Sequence, residues 1–158
     1  MRALAGRAHS THELRQKLQR RALNPAEVEP LLAHLAGRGL LDDQAFALAY
    51  ARARVENRRL GRFRIQRELR RRGLAEELII AALAEVLPSE KDERRLARKR
   101  IERRLRSQKR PYSEKLLRSL YASLLRAGFP SAIIRDELFR RGKRRLAEEF
   151  EPEEDEQV

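Results

Sequence analysis

Cysteine is missing from all 158 positions of the chain. That excludes disulfides, thiolate-bound metals and a thiol nucleophile. Tryptophan is missing too, and the aromatics are limited to five Phe and three Tyr. They fall at core-like helical positions, as Phe46 and Phe129 do, so no row of base-stacking rings is expected. No apolar run approaches the roughly 20 residues that span a bilayer. The opening MRALAGRAHS lacks the apolar core of a secretory signal. The expectation is a cytoplasmic chain with no membrane partner. Catalytic chemistry is equally short of material. The three histidines, His9, His12 and His34, have no carboxylates placed to complete a metal site. Neither a GxxxxGK[ST] loop nor a GxGxxG turn occurs, and Gly37 and Gly39 merely flank an arginine at a helix end. No metal, no cofactor and no enzymatic activity are expected.

What the chain has in excess is positive charge: 37 Lys and Arg against 24 Asp and Glu. The imbalance is segregated. The stretch 148–158, EEFEPEEDEQV, holds seven acids and no base, so the body 1–147 sets 37 bases against 17 acids, a formal +20. A basic body suits a polyanion or an acidic protein surface. The plainer reading is a well-solvated helical exterior.

Helix is the one strong periodicity, and one helical unit is written three times. ELRQKLQRRAL (13–23) aligns with RIQRELRRRGL (64–74) at an offset of 51 and, through it, with SLYASLLRAGF (119–129) at a further 55. Leu14, Ile65 and Leu120 coincide, as do Leu18, Leu69 and Leu124; Ala22, Gly73 and Gly128 follow, then Leu23, Leu74 and Phe129. Such a period marks a modular array that presents a long surface. Punctuation supplies the boundaries. Ser10 with Glu13 reads as a capping box, and Asn24-Pro25 opens a helix expected to bury Val28, Leu31, Leu32 and Leu35. The pair Asp42-Asp43, after Leu41, caps a longer helix marked by Phe46, Leu48 or Ala49, and Tyr50. Gly73 can end a helix over 62–72 in a left-handed conformation. Another helix follows over 75–87, a basic one spans about 90–109, and two more precede Gly128 and Gly142. The expected fold is all-α: three tandem three-helix repeats, 1–38, 40–87 and 89–142, forming an elongated, curved array. The first helix, 1–8, is short, and 143–158 is expected to be a disordered acidic tail. Short loops predict that consecutive helices pack together.

Two basic stripes are the candidate binding residues. With Ile65 and Leu69 inward, Arg64, Arg67 and Arg71 turn outward, and Glu68 is their near acid. Arg20 aligns with Arg71 in the first copy. With Ala97, Ile101 and Leu105 inward, Arg95, Lys99, Arg103 and Arg106 form a second stripe, near Glu102. Guanidinium groups suit bidentate contact with phosphate or carboxylate.

Three strings together resemble the RecX regulatory proteins of bacteria. AGRAHSTHELRQKL supplies Arg7, Ser10, Glu13, Leu14, Lys17 and Leu18; GLLDDQAFALAYARAR supplies Gly39, Leu40, Leu41, Asp42, Asp43 and Phe46. GRFRIQRELRRRGL supplies Gly61, Ile65, Glu68, Leu69, Arg72, Gly73 and Leu74. The likeness covers about residues 5–85 and is weaker over 89–142. It implies three tandem three-helix repeats and no catalytic activity. It also implies binding, expected here as a monomer, to the RecA recombinase filament on single-stranded DNA. There it would inhibit assembly, ATPase, strand exchange and coprotease activity, in homologous recombination, DNA repair and the SOS response. Family members often carry Gly-Pro where this chain has Gly61-Arg62. The motif residues themselves look structural, each a cap or a core position. The alternative is a sequence-nonspecific DNA-binding protein that acts by coating DNA, with a steep salt dependence.

Overall fold

A computed structural model describes residues 9–21 and 24–141. Among them are eight α-helices and no strand: α1 (Thr11–Gln19), α2 (Val28–Gly37), α3 (Asp43–Arg58), α4 (Arg62–Arg70), α5 (Glu76–Val86), α6 (Glu90–Leu105), α7 (Glu114–Arg126) and α8 (Ser131–Phe139). The predicted first helix, Arg7, Ala22, Leu23, Gly142 and the acidic stretch lie outside the described residues. None of the described helices is long and apolar enough to cross a membrane.

Side-chain caps set most starts. The Ser10 hydroxyl accepts from the Glu13 backbone N–H while Glu13 returns to the Ser10 N–H, the predicted capping box. Asn24 caps a 3₁₀ turn, Pro25–Glu27, that leads into α2. Asp42 accepts from the Ala45 N–H at 2.9 Å, and Ser89 and Ser113 cap α6 and α7 in the same way. Three glycines take positive φ where helices stop: Gly39 (66°), Gly73 (72°) and Gly128 (88°). The basic helix expected over about 90–109 ends at Leu105.

The chain divides into two compact units: Met1–Arg58 with Ile65–Pro88, and Arg59–Arg64 with Ser89–Val158. In the first, Leu14, Val28 and Leu32 form a cluster joined by Leu18, Leu35 and Leu41. Leu31, expected inside, is 43% exposed. The principal packing of α3 is on α5, two helices on, rather than on its immediate neighbour α4. Its buried positions are Ala47 and Ala51, whose small side chains permit close approach; Phe46 and Tyr50, read as apolar marks, are half-buried. In the second unit α8 packs on both α7 and α6, around Ile101, Leu120, Leu124, Phe129 and Ile134.

Candidate polyanion-binding faces

Arginine serves two purposes in this molecule, and carboxylate partners separate them. On α6, Arg94 bridges Glu90 and Asp136, and Arg98 donates twice to Glu137 at 2.9 and 3.1 Å. Arg141 holds Glu137 at 2.7 Å and Glu102 at 3.4 Å. These cations pin α6 to α8. Glu137 is fully buried; burial pushes its carboxyl up, but the hydrogen bonds and charges of Arg98 and Arg141 win and hold it at about 2. The predicted stripe is a different set. Arg95, Lys99 and Arg103 are exposed along α6, and Arg106 is exposed at its C-cap. None of the four makes an ion pair among the described residues. Positions four apart on a helix rise about 6 Å, so α6 offers regularly spaced cations along one side. Glu102, the acid expected to offset them, is turned to Arg141.

The α4 stripe is partly corrected. Arg67 and Arg71 are exposed and make no ion pair among the described residues, and Arg71 lies just past the last helical residue. Arg64 is half-buried instead of outward, because its backbone lies against Gly128. Glu68 is engaged by Tyr50, whose hydroxyl donates at 2.8 Å, and by Arg54 at 2.9 Å. Arg70 is paired with Glu76. Arg20 is exposed at the C-cap of α1.

The motif residues lie elsewhere, as the joints of the scaffold. The Ser10 hydroxyl donates to the Arg72 carbonyl at 2.6 Å, across 62 positions. The Arg72 guanidinium pairs with Glu13 and lies over the rings of Tyr50 at 4.7 Å and Phe46 at 6.0 Å. Asp43 accepts from the Thr11 N–H at 2.8 Å, so it caps α1 as well as opening α3. Leu14, Ile65 and Leu69 are at most 1% exposed, Leu18 and Leu41 half-buried, and Gly73 has the side chain of His12 where a Cβ would stand. Reading the sequence missed two features. Phe63 (54%) and Phe139 (45%) are exposed, against the expectation of core aromatics. Arg62, where the resemblance led to the expectation of proline, uses the N–H that proline lacks: it donates at 2.9 Å to Glu93, a carboxylate 1% exposed, which its guanidinium also binds.

An all-helical repeat scaffold bearing rows of cations without an ion pair among the described residues defines the class: a helical-repeat protein. Comparison with known proteins narrows it. Residues 1–35 match the model of the first three-helix domain of RecX, and 42–83 that of the second. The chain is 34% identical over 139 residues to the regulatory protein RecX of Amycolatopsis mediterranei, covering 85% of this chain and 78% of that one. It is 35% identical over 136 residues to that of Trichlorobacter lovleyi, covering 85% and 88%. A 79-residue match to the Halorhodospira halophila RecX, 49% identical, spans 50% of this chain and about half (48%) of that protein. The fold agrees with the crystal structure of RecX from Lactobacillus salivarius, at a TM-score of 0.73 and 19% identity over 88% of each chain. A second RecX crystal structure aligns at 0.69 and 28% identity, over 85% of this chain and 67% of that one. The chain belongs to the RecX family of regulatory proteins.

Proposed function

We propose that the protein binds the RecA recombinase filament on single-stranded DNA and lowers its assembly, ATPase, strand exchange and coprotease activity, as a monomer in the cytoplasm. The observation that carries this reading is the row Arg95, Lys99, Arg103 and Arg106: exposed cations without an ion pair among the described residues, on a helix where Arg94 and Arg98 are spent on carboxylates of α8. Arg67, Arg71 and Arg20 contribute further contacts. The sets 1–38, 40–87 and 89–142 act as successive units that bridge recombinase subunits, so that weak single contacts suffice. Reversing Arg67 and Arg71 to Glu weakens filament binding by more than tenfold and leaves helicity unchanged, measured by co-sedimentation and circular dichroism. Unchanged co-sedimentation refutes the assignment of these two residues.

The second reading is a DNA-coating protein, favoured by the formal +20 of the body 1–147. It requires equal affinity for bare single strands and for the filament, and a steep salt slope.

A further inference from the structure

Three ion pairs fix where the chain leaves α8. Arg94 donates to Asp136 at 2.8 Å, Arg98 to Glu137 at 2.9 Å and Arg141 to Glu102 at 3.4 Å. The partners follow the same order along both helices, so Arg141 stands beside the C-terminal half of α6. A helix turns about 100° per residue. On that wheel Arg95, Arg106 and Lys99 lie within about 60° of Glu102, and Arg103 about 100° away. The row of exposed cations therefore borders the face that holds α8, and all four rise within about 10 Å of Glu102 along the axis. None of the four makes an ion pair among the described residues. The sequence beyond Arg141 supplies the opposite charge. Residues 142–147 separate it from Glu148, the first of seven acids in the stretch 148–158, which has no base. Extended backbone covers about 3.5 Å per residue, so Glu148 can stand up to about 25 Å from Arg141, beyond the row's own length of about 16 Å. The connecting residues include Lys143, Arg144 and Arg145. With one acid given to each of these, four acids remain for the four cations. Row and acidic stretch belong to one compact unit, whereas Arg20, Arg67 and Arg71 belong to the other, and that selects α6.

We propose that the acidic stretch 148–158 docks on the Arg95, Lys99, Arg103 and Arg106 face of α6 in its own chain, as a tethered competitor that an incoming polyanion must displace. The tether supplies a high effective concentration without any strong single contact. Exposed ion pairs are individually weak and screened by salt, so the stretch yields to a denser polyanion instead of closing the face. This goes beyond the reading of α6 as a face toward the nucleoprotein filament: it gives the same cations an internal ligand, and it requires only that they bind anions.

The test uses the full chain with no recombinase present. A carbodiimide joins carboxylates to amines in contact, and Lys99 is the single lysine of the row. Mass spectrometry of the low-salt reaction finds Lys99 joined to acids of 148–158, at a yield independent of protein concentration. The yield falls severalfold at about 1 M salt, where charges are screened beyond about 3 Å. Absence of the Lys99 product at low salt overturns the docking. A yield that rises in proportion to protein concentration overturns docking within one chain and assigns the stretch to a second copy. The competitor role is read from low-salt binding of a fluorescently labelled oligothymidylate. Replacing the seven acids by their amides tightens binding about tenfold, the summed loss of four exposed pairs. In a chain that also carries Arg95→Gln, Lys99→Gln, Arg103→Gln and Arg106→Gln, the same replacement changes affinity by less than about twofold. An equal gain in both backgrounds shows that the acids act through net charge alone and overturns the competitor. Because no recombinase is present, failure here leaves regulation of the filament untouched.

Discussion

At the scale of the residue, an arginine's worth depends on which carboxylate it meets. Arg62 is the clearest case. Its N–H and guanidinium both serve Glu93, so Arg62→Pro strands a buried carboxylate. Breaking such a pair costs about 3 kcal/mol, which thermal or urea unfolding will register. A melting temperature equal to that of the parent would show that Glu93 finds another donor. Glu137 makes a pH prediction. Its folded carboxyl is held at about 2 against an ordinary value of 4.5. A depressed acid stabilises the fold above its unfolded value, and that contribution is lost as pH falls from about 4.5 toward 2. Urea midpoints measured down that range should fall, and Glu137→Gln should flatten the fall. The variant itself should lose about 2 kcal/mol at neutral pH, below the range for a fully buried pair because Arg98 is 43% exposed. An equally steep decline in the variant would place the acid sensitivity elsewhere.

At the scale of the element, helix ends were the most legible part of the sequence. Ser10, Asn24, Asp42, Ser89 and Ser113 all cap as their residue types require, because a cap is a local device that needs nothing from the rest of the fold. Faces were less legible. In α3 the large side chains Phe46 and Tyr50 suggested the core, yet alanines are buried there, since close helix packing selects small residues while the rings support Arg72. The partners of Arg62 and Asp43 could not be read at all: both are contacts between elements distant in sequence. Gly61 shows the same long-range logic. A Cβ there would lie 2.4 Å from the Gly128 carbonyl oxygen, which is backbone and cannot swing aside. Gly61→Ala should therefore destabilise the protein by about 2 kcal/mol, seen as a lower urea midpoint. A higher urea midpoint in Gly61→Ala would contradict this close backbone approach.

At the scale of the whole molecule, sequence and structure divide the labour differently. Family and fold class were readable because the motif residues Ser10, Glu13, Asp43, Phe46 and Arg72 are the joints that make the scaffold. The proposed binding face was readable only in outline. Periodicity placed Arg95, Lys99, Arg103 and Arg106 outward, but it could not tell an arginine spent on Glu137 or Asp136 from one left over. The central claim is that the leftover cations of α6 engage the recombinase filament. The most direct test is a titration of ATP hydrolysis by RecA filaments on single-stranded DNA with the parent and with a variant carrying Glu at positions 95, 99, 103 and 106. The account predicts that the parent lowers the steady-state rate, and that the variant, with an unchanged helical spectrum, needs at least tenfold more protein for the same effect. Inhibition by the variant at the parental concentration would contradict it.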